Sequence, residues 1–135
     1  MFERCLYFNL NALARNVNHL REAAFADLGL SPAHAYLLRL VLSQPGIAQK
    51  DIAAELKLDK STVTRFIDAL ETRGYLKRRK VKREQSILPT AAATKLEKEL
   101  NRRGDALYRR MLEKVGKTAL VDLVRQLRET GQKFK

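Results

Sequence analysis

GIAQKDIAAELKLDKSTVTRFIDALETRGYLKRR, residues 46–79, carries two short helical patterns in succession and then the start of a strand. From Gln49 to Leu56, Ile52, Ala53 and Leu56 fall on one face while Gln49, Lys50 and Glu55 are left outside. Leu58-Asp59 makes a tight connection. Asp59 is placed to cap a second helix, in which Val63, Phe66, Ile67 and Leu70 form a regular apolar stripe that Gly74 ends. Tyr75 to Arg79 and about Gln85 to Leu88 read as two short strands joined by a basic loop, and Pro89 is expected to block further strand pairing.

Outward from this stretch the chain reads as helix. On the N-terminal side, Leu6, Leu10, Leu13, Val17 and Leu20 recur at spacings of four, three, four and three over about Phe2 to Asp27, ended near Gly29. Ser31-Pro32 supplies an N-cap followed by proline at the first helical position, and AHAYLLRLVL runs on to Pro45-Gly46. On the C-terminal side, Thr90 caps a long helix with Leu96, Leu100, Leu107 and Met111, in which Gly104 marks a bend. A last helix from about Thr118 to Thr130 carries Leu120, Leu123, Val124 and Leu127. Two short helices, a tight turn and a hairpin are the parts of a winged helix-turn-helix. The expected fold class is therefore mainly α with a small β wing: a single domain over 1–135, with dimerisation helices at about 1–30 and 90–135 flanking a winged helix-turn-helix at about 31–89.

Twenty-seven Lys and Arg against 15 Asp and Glu give the 135-residue chain a formal charge of +12, which points to a polyanionic partner. The excess is concentrated: KRRKVKR, Lys77 to Arg83, holds six basic side chains and no acid. With 45% hydrophobic residues a packed core is expected, but no apolar run approaches the ~20 residues of a membrane span, so the chain is expected to be cytoplasmic with no membrane partner. A lone cysteine, Cys5, agrees with a reducing compartment. His19 and His34 lack metal-ligand spacing, and there is no CxxC pair, phosphate loop or nucleophile elbow. No enzyme, metal or cofactor is expected.

The stripe of the second short helix turns Lys60, Ser61, Thr62, Thr64, Arg65 and Asp68 outward, and a major groove is wide enough to receive that face. Hydroxyls there suit phosphates or bases, and Arg65 is long enough to reach a guanine edge. Asp68 and Glu71 are expected to orient basic side chains or to stay in solvent.

The 46–79 stretch closely resembles the recognition unit of the multiple antibiotic resistance regulator (MarR) family, and the order of helices extends the resemblance over the chain. It implies a homodimer on double-stranded DNA with a pseudo-palindromic operator, acting as a repressor released by a small-molecule or oxidant signal. By position it assigns Ser61, Thr62, Thr64 and Arg65 to the major groove. The wing would add Arg78, Arg79, Lys80, Lys82 and Arg83. The wing departs from the family pattern, in which an acid braces the tip arginine: Val81-Lys82-Arg83 stands there without one, which leaves open whether Lys82 or Arg83 enters the minor groove or the wing only touches phosphate.

Leu10, Val17, Leu107, Met111, Leu120, Leu123 and Leu127 are the candidate dimerisation residues. The resemblance implies an effector pocket, for which His34 and Tyr36 are candidates, His34 against the plainer reading of an ordinary partly buried histidine. The resemblance also suggests Cys5, with Tyr7 and Tyr36 close by, as a redox sensor, against the plainer reading of a small buried hydrophobe. A non-regulatory nucleoid or RNA-binding protein, or an adaptor without a DNA site, are the alternatives that the same charge pattern allows.

Overall fold

The Ser31 hydroxyl accepts the His34 amide at 3.2 Å and Pro32 follows it, so helix α2, Pro32–Ser43, starts where cap and proline together favour a start. Thr90 does the same for the longest helix, accepting the Ala93 amide at 3.3 Å while donating to the Gly74 carbonyl at 2.5 Å. The computed structural model describes residues 1–135. In chain order the remaining elements are α1 (Leu6–Phe25) with a 3-10 turn (Ala26–Leu28), β1 (Ile47–Ala48), α3 (Gln49–Leu56), α4 (Lys60–Thr72), β2 (Leu76–Val81), β3 (Glu84–Pro89), α5 (Ala91–Val115) and α6 (Lys117–Gln132).

The core forms around α2, whose Leu37, Leu38 and Val41 are fully buried. Ile52 of α3, Val63, Ile67 and Leu70 of α4, Leu76 and Ile87 of the hairpin and Leu100 of α5 close on it. This is the stripe that the 3.6-residue period picks out. The sheet is antiparallel, ordered β1-β3-β2, with Ile47 opposite Ile87 and Val81 opposite Glu84.

The elements differ from the sequence expectation in detail. The two-residue strand β1 is too short to leave a periodic signal. β3 ends at Pro89, where the proline was expected to stop the pairing, but Pro89 is itself paired, opposite Leu76, one position beyond the expected end at Leu88, and a single further bond runs from the Thr90 amide to the Tyr75 carbonyl at 3.0 Å. α1 begins at Leu6, with Cys5 as its N-cap, instead of at Phe2. Gly104 lies within the unbroken helix α5, where a Cβ would collide with the Arg39 guanidinium, so the glycine makes room for a crossing side chain.

α1 and α6 stand apart from this core. Phe25 is the one buried residue of α1, α6 has none, and Leu6, Leu10, Leu13, Val121, Val124 and Leu127 are exposed. Arg103 ties α5 to the end of α1 by pairing with Asp27 and hydrogen bonding to the Ala24 carbonyl at 3.1 Å, and it is itself held by Glu99, one turn back on α5, at 2.8 Å. No helix is long and apolar enough to cross a membrane.

Candidate nucleic-acid interface

With Val63, Ile67 and Leu70 buried, α4 must turn its other face out, and Lys60, Ser61, Thr64 and Arg65 are exposed there with Thr62 half-buried. The first turn is organised by Asp59. Its carboxyl is held below the usual range, first by the Thr62 hydroxyl and also by that of Ser61, which donates to it at 3.4 Å. Arg65 makes only a long contact to the Thr62 oxygen, 3.5 Å, so nearly all its guanidinium donors stay free. Thr64 is tied twice, donating to the Lys60 carbonyl at 2.9 Å and accepting from Gln49 Nε2 at 2.7 Å.

The wing turns at Lys82-Arg83, closed by the Val81–Glu84 pair, and Lys82 has a left-handed φ of 57°. Strand side chains alternate, so Leu76, buried in the core, places Arg78 on the inner face and Lys77 and Arg79 on the outer one. The sequence groups Arg78 with the DNA-facing cations; in the structure it is turned inward, bonding Asp68 at 2.6 Å and Glu71 at 2.7 Å. That is the orienting role foreseen for the two acids, applied to an arginine that was expected to be free. Arg79, Lys80, Lys82 and Arg83 are exposed and make no ion pair.

Between α4 and the wing lies a polar cleft of about 330 Å³, lined by Gln49, Lys50, Lys60, Thr64, Arg83 and Glu84 among others. Glu84 pairs across it with Lys50 at 2.5 Å, so the acid beside the wing tip holds α3 to the hairpin. Sequence reasoning passed over Gln49, Lys50 and Glu84 as site residues, since their pairings join positions that are near only once the hairpin register is known.

His34 and Tyr36 are two residues apart on α2 and point different ways. His34 packs edge-on against Phe66 of α4, ring centroids 4.8 Å apart, and burial, helped by the Arg73 charge, lowers its pKa from the ordinary histidine value. Tyr36 faces an apolar cavity of about 360 Å³ between α1, α5 and α6, walled by Val17, Leu107, Met111 and Leu123, among others. His34 is not in its wall. Arg21 lies over the Tyr36 ring at 4.4 Å with its Nε buried and without a partner, and Arg39 lies 6.0 Å from the same ring. Neither arginine was foreseen.

Of the candidate dimerisation residues, Leu10 and Leu127 are exposed, Val17, Met111, Leu120 and Leu123 half-buried, and Leu107 is already buried in its own protomer. Leu107 therefore belongs to the core and has little surface left for a partner. The Cys5 sulfur accepts the Phe8 amide at 3.4 Å. Tyr36 is not close to it: Tyr36 packs on Arg21, sixteen residues along α1 and hence roughly 24 Å away at 1.5 Å per residue. No group of three metal-ligating side chains occurs.

A family model described as MarR family matches residues 28–84. An uncharacterised HTH-type transcriptional regulator of Bacillus subtilis (strain 168), YybA, is 27% identical over 99 residues, 71% of this chain and 66% of that protein. Among solved structures, CouR from Rhodococcus jostii RHA1, bound to p-coumaroyl-CoA, is 27% identical with a TM-score of 0.74, covering 99% of this chain and 94% of that one. MepR of S. aureus, in a DNA complex, shares the fold with a TM-score of 0.84 at 15% identity, covering 98% and 100%.

Proposed function

From the match of residues 28–84 to the MarR family model, we propose that the chain is a winged helix-turn-helix transcriptional regulator of the MarR type, a dimeric repressor whose two α4 helices enter successive major grooves of a pseudo-palindromic operator. The observation that carries this reading is the continuity of the exposed face of α4 with the unpaired cations of the wing. Arg65 supplies a free bidentate donor for a guanine edge, and Arg79, Lys80, Lys82 and Arg83 supply positive charge for the neighbouring backbone. The apolar faces left open on α1 and α6 are where the second copy packs, and they set the separation of the two reading helices.

The signal that lifts repression is a small, flat, apolar acid bound in the Tyr36 cavity. Its volume of about 360 Å³ lies at the lower end of ordinary ligand sites, its wall is apolar, and Arg21, which lines it, supplies a cation for a carboxylate, with the Arg39 guanidinium outside the wall 6.0 Å from the Tyr36 ring. The occurrence of p-coumaroyl-CoA in the Rhodococcus relative agrees with a ligand that is aromatic in part. Since the cavity is walled by α1, α5 and α6, an occupant that prefers one packing of these helices shifts the population of helix spacings and hence operator affinity.

Selecting bound fragments from genomic DNA with the purified protein tests this reading. A regulator retains one or a few promoter fragments and binds them at least ~10³-fold tighter than random duplex. Nearly uniform, salt-sensitive binding would assign the protein to the nucleoid or to RNA instead, and absence of duplex binding would make it an adaptor.

A further inference from the structure

Thr64 stands in the middle of the exposed face of α4, and a threonine hydroxyl there is ordinarily read as a hydrogen-bonding group for DNA. Its bonds argue otherwise. The hydroxyl has one hydrogen, and the Lys60 carbonyl at 2.9 Å takes it, the back-bonding to residue i−4 that threonines make inside helices. Of the two lone pairs, one accepts from Gln49 Nε2 at 2.7 Å. That amide orientation is the one chemistry requires: with the proton committed to Lys60, a flipped Gln49 would set its carbonyl oxygen against an oxygen lone pair. The polar end of Thr64 is thus held against the protein from both sides. Since the residue is exposed, what remains toward the groove is its methyl group.

We propose that Gln49 is a positioning residue that fixes Thr64 with its hydroxyl inward and its methyl outward, so that position 64 selects a thymine by its C5-methyl group instead of hydrogen bonding to a base. The proposal rests on the reading of α4 as the groove-entering helix. The major groove offers such a methyl at every thymine and at no other base, and threonine methyls are suited to meet it. Gln49 is well placed for the task. It begins α3, is half-buried beside Ala48, and its side chain crosses to the other helix of the pair within the polar cleft. The pinning matters because a free threonine on a helix divides between two rotamers, with its hydroxyl on the i−3 or the i−4 carbonyl, and these point the methyl in different directions.

The test uses the full-length protein on its best-bound genomic fragment and replaces each thymine of one half-site in turn by uracil, which deletes only the methyl. At one thymine the change should weaken binding roughly 4-fold, the worth of one buried methyl or methylene. Thr64→Val, which keeps the methyl in place, should retain that preference, and Thr64→Ser should abolish it. Gln49→Ala should reduce the preference to below 2-fold while leaving the salt dependence on random duplex unchanged. The proposal is overturned if no uracil position matters, if Thr64→Ser keeps the thymine preference, or if Gln49→Ala keeps it in full. Arg65→Ala, measured on the same fragments, separates this from failure of the underlying reading: if it leaves the operator-to-random ratio unchanged, α4 does not enter the groove and the Thr64 proposal falls with it.

Discussion

Arg78 of β2 lies 2.6 Å from Asp68 of α4, and the contact fastens the root of the wing to the helix proposed to read bases. Glu71, one turn further along α4, takes the other guanidinium nitrogen at 2.7 Å. A partly exposed pair of this kind adds only about 0–1 kcal/mol to stability, so its effect is on geometry. Arg78→Ala should weaken operator binding by freeing the wing, without lowering the slope of log affinity against log salt, since no phosphate contact is lost. Arg83→Ala should lower that slope by about 1. Salt titrations of the two variants check this, and a drop of about 1 for Arg78→Ala would place its charge on the DNA after all.

Arg65→Ala should cost about 1–3 kcal/mol on the preferred site and much less on random duplex, because a bidentate base contact carries sequence information. Competition binding with both DNAs reads the difference. An equal loss on the two would make Arg65 a phosphate contact.

The stripe of α4 and the basic wing were legible because helical period and charge blocks are local properties of the sequence. The orientation of single side chains was not. Arg78 and Arg79 look alike in KRRKVKR until the strand's parity is fixed by Leu76, which lies in the core and sends Arg78 inward with it. His34 and Tyr36 are about 200° apart around α2 at 3.6 residues per turn, so a single pocket could not hold both. Gln49 and Thr64, or Lys50 and Glu84, meet only after α3, α4 and the hairpin have packed, and no spacing in the sequence announces them.

Leu10 and Leu127 face the groove between α1 and α6 and are exposed in the protomer. A second copy that covers this groove and the outer faces of both helices should bury at least about 2,000 Å² in total, the range of obligate dimers. Sedimentation at micromolar concentration should give a dimer for the parent. Leu127→Asp should give a dissociated, partly unfolded chain that has lost operator binding. A folded monomeric parent would contradict the arrangement.

The Arg103 contacts make a prediction about acid. Hydrogen bonds from Arg102 and Arg103 hold the Glu99 carboxyl at about 2, and Arg103 likewise holds Asp27 below its ordinary value. Both folded-state values lie below the unfolded ones, so the stabilisation is complete above about pH 4.5 and is lost as pH falls toward 2. Arg103→Gln should therefore melt below the parent at pH 7, and the two melting temperatures should converge between pH 4.5 and 2. A gap that stays constant over this range would mean that Arg103 acts through packing alone.

Gly104 offers a way to disturb the proposed effector cavity without disturbing the fold. In the interior of α5, replacing glycine by alanine gains about 1 kcal/mol of helix propensity. The new Cβ would, however, lie 2.0 Å from Arg39 Nη1 and 2.6 Å from its Cζ, so the guanidinium must move and lose the bond from its Nε to Asn101 Oδ1, now 3.2 Å. That bond is worth about 0.5–1.5 kcal/mol, and since the guanidinium ends a flexible chain little else has to shift. The two effects nearly cancel, and Gly104→Ala should melt within a few degrees of the parent. Its response to ligand should not be preserved, because Arg39 has left the side of Tyr36 and the cavity wall has gained a methyl group. With benzoate as the simplest aromatic carboxylate, the parent should gain about 1.4 kcal/mol at a concentration tenfold above its Kd, and Gly104→Ala markedly less at that same concentration. Thermal melts of both proteins with and without benzoate supply all four numbers. An equal ligand shift in the two would remove Arg39 from the site, and a large fall in melting temperature without ligand would give Gly104 a purely structural role.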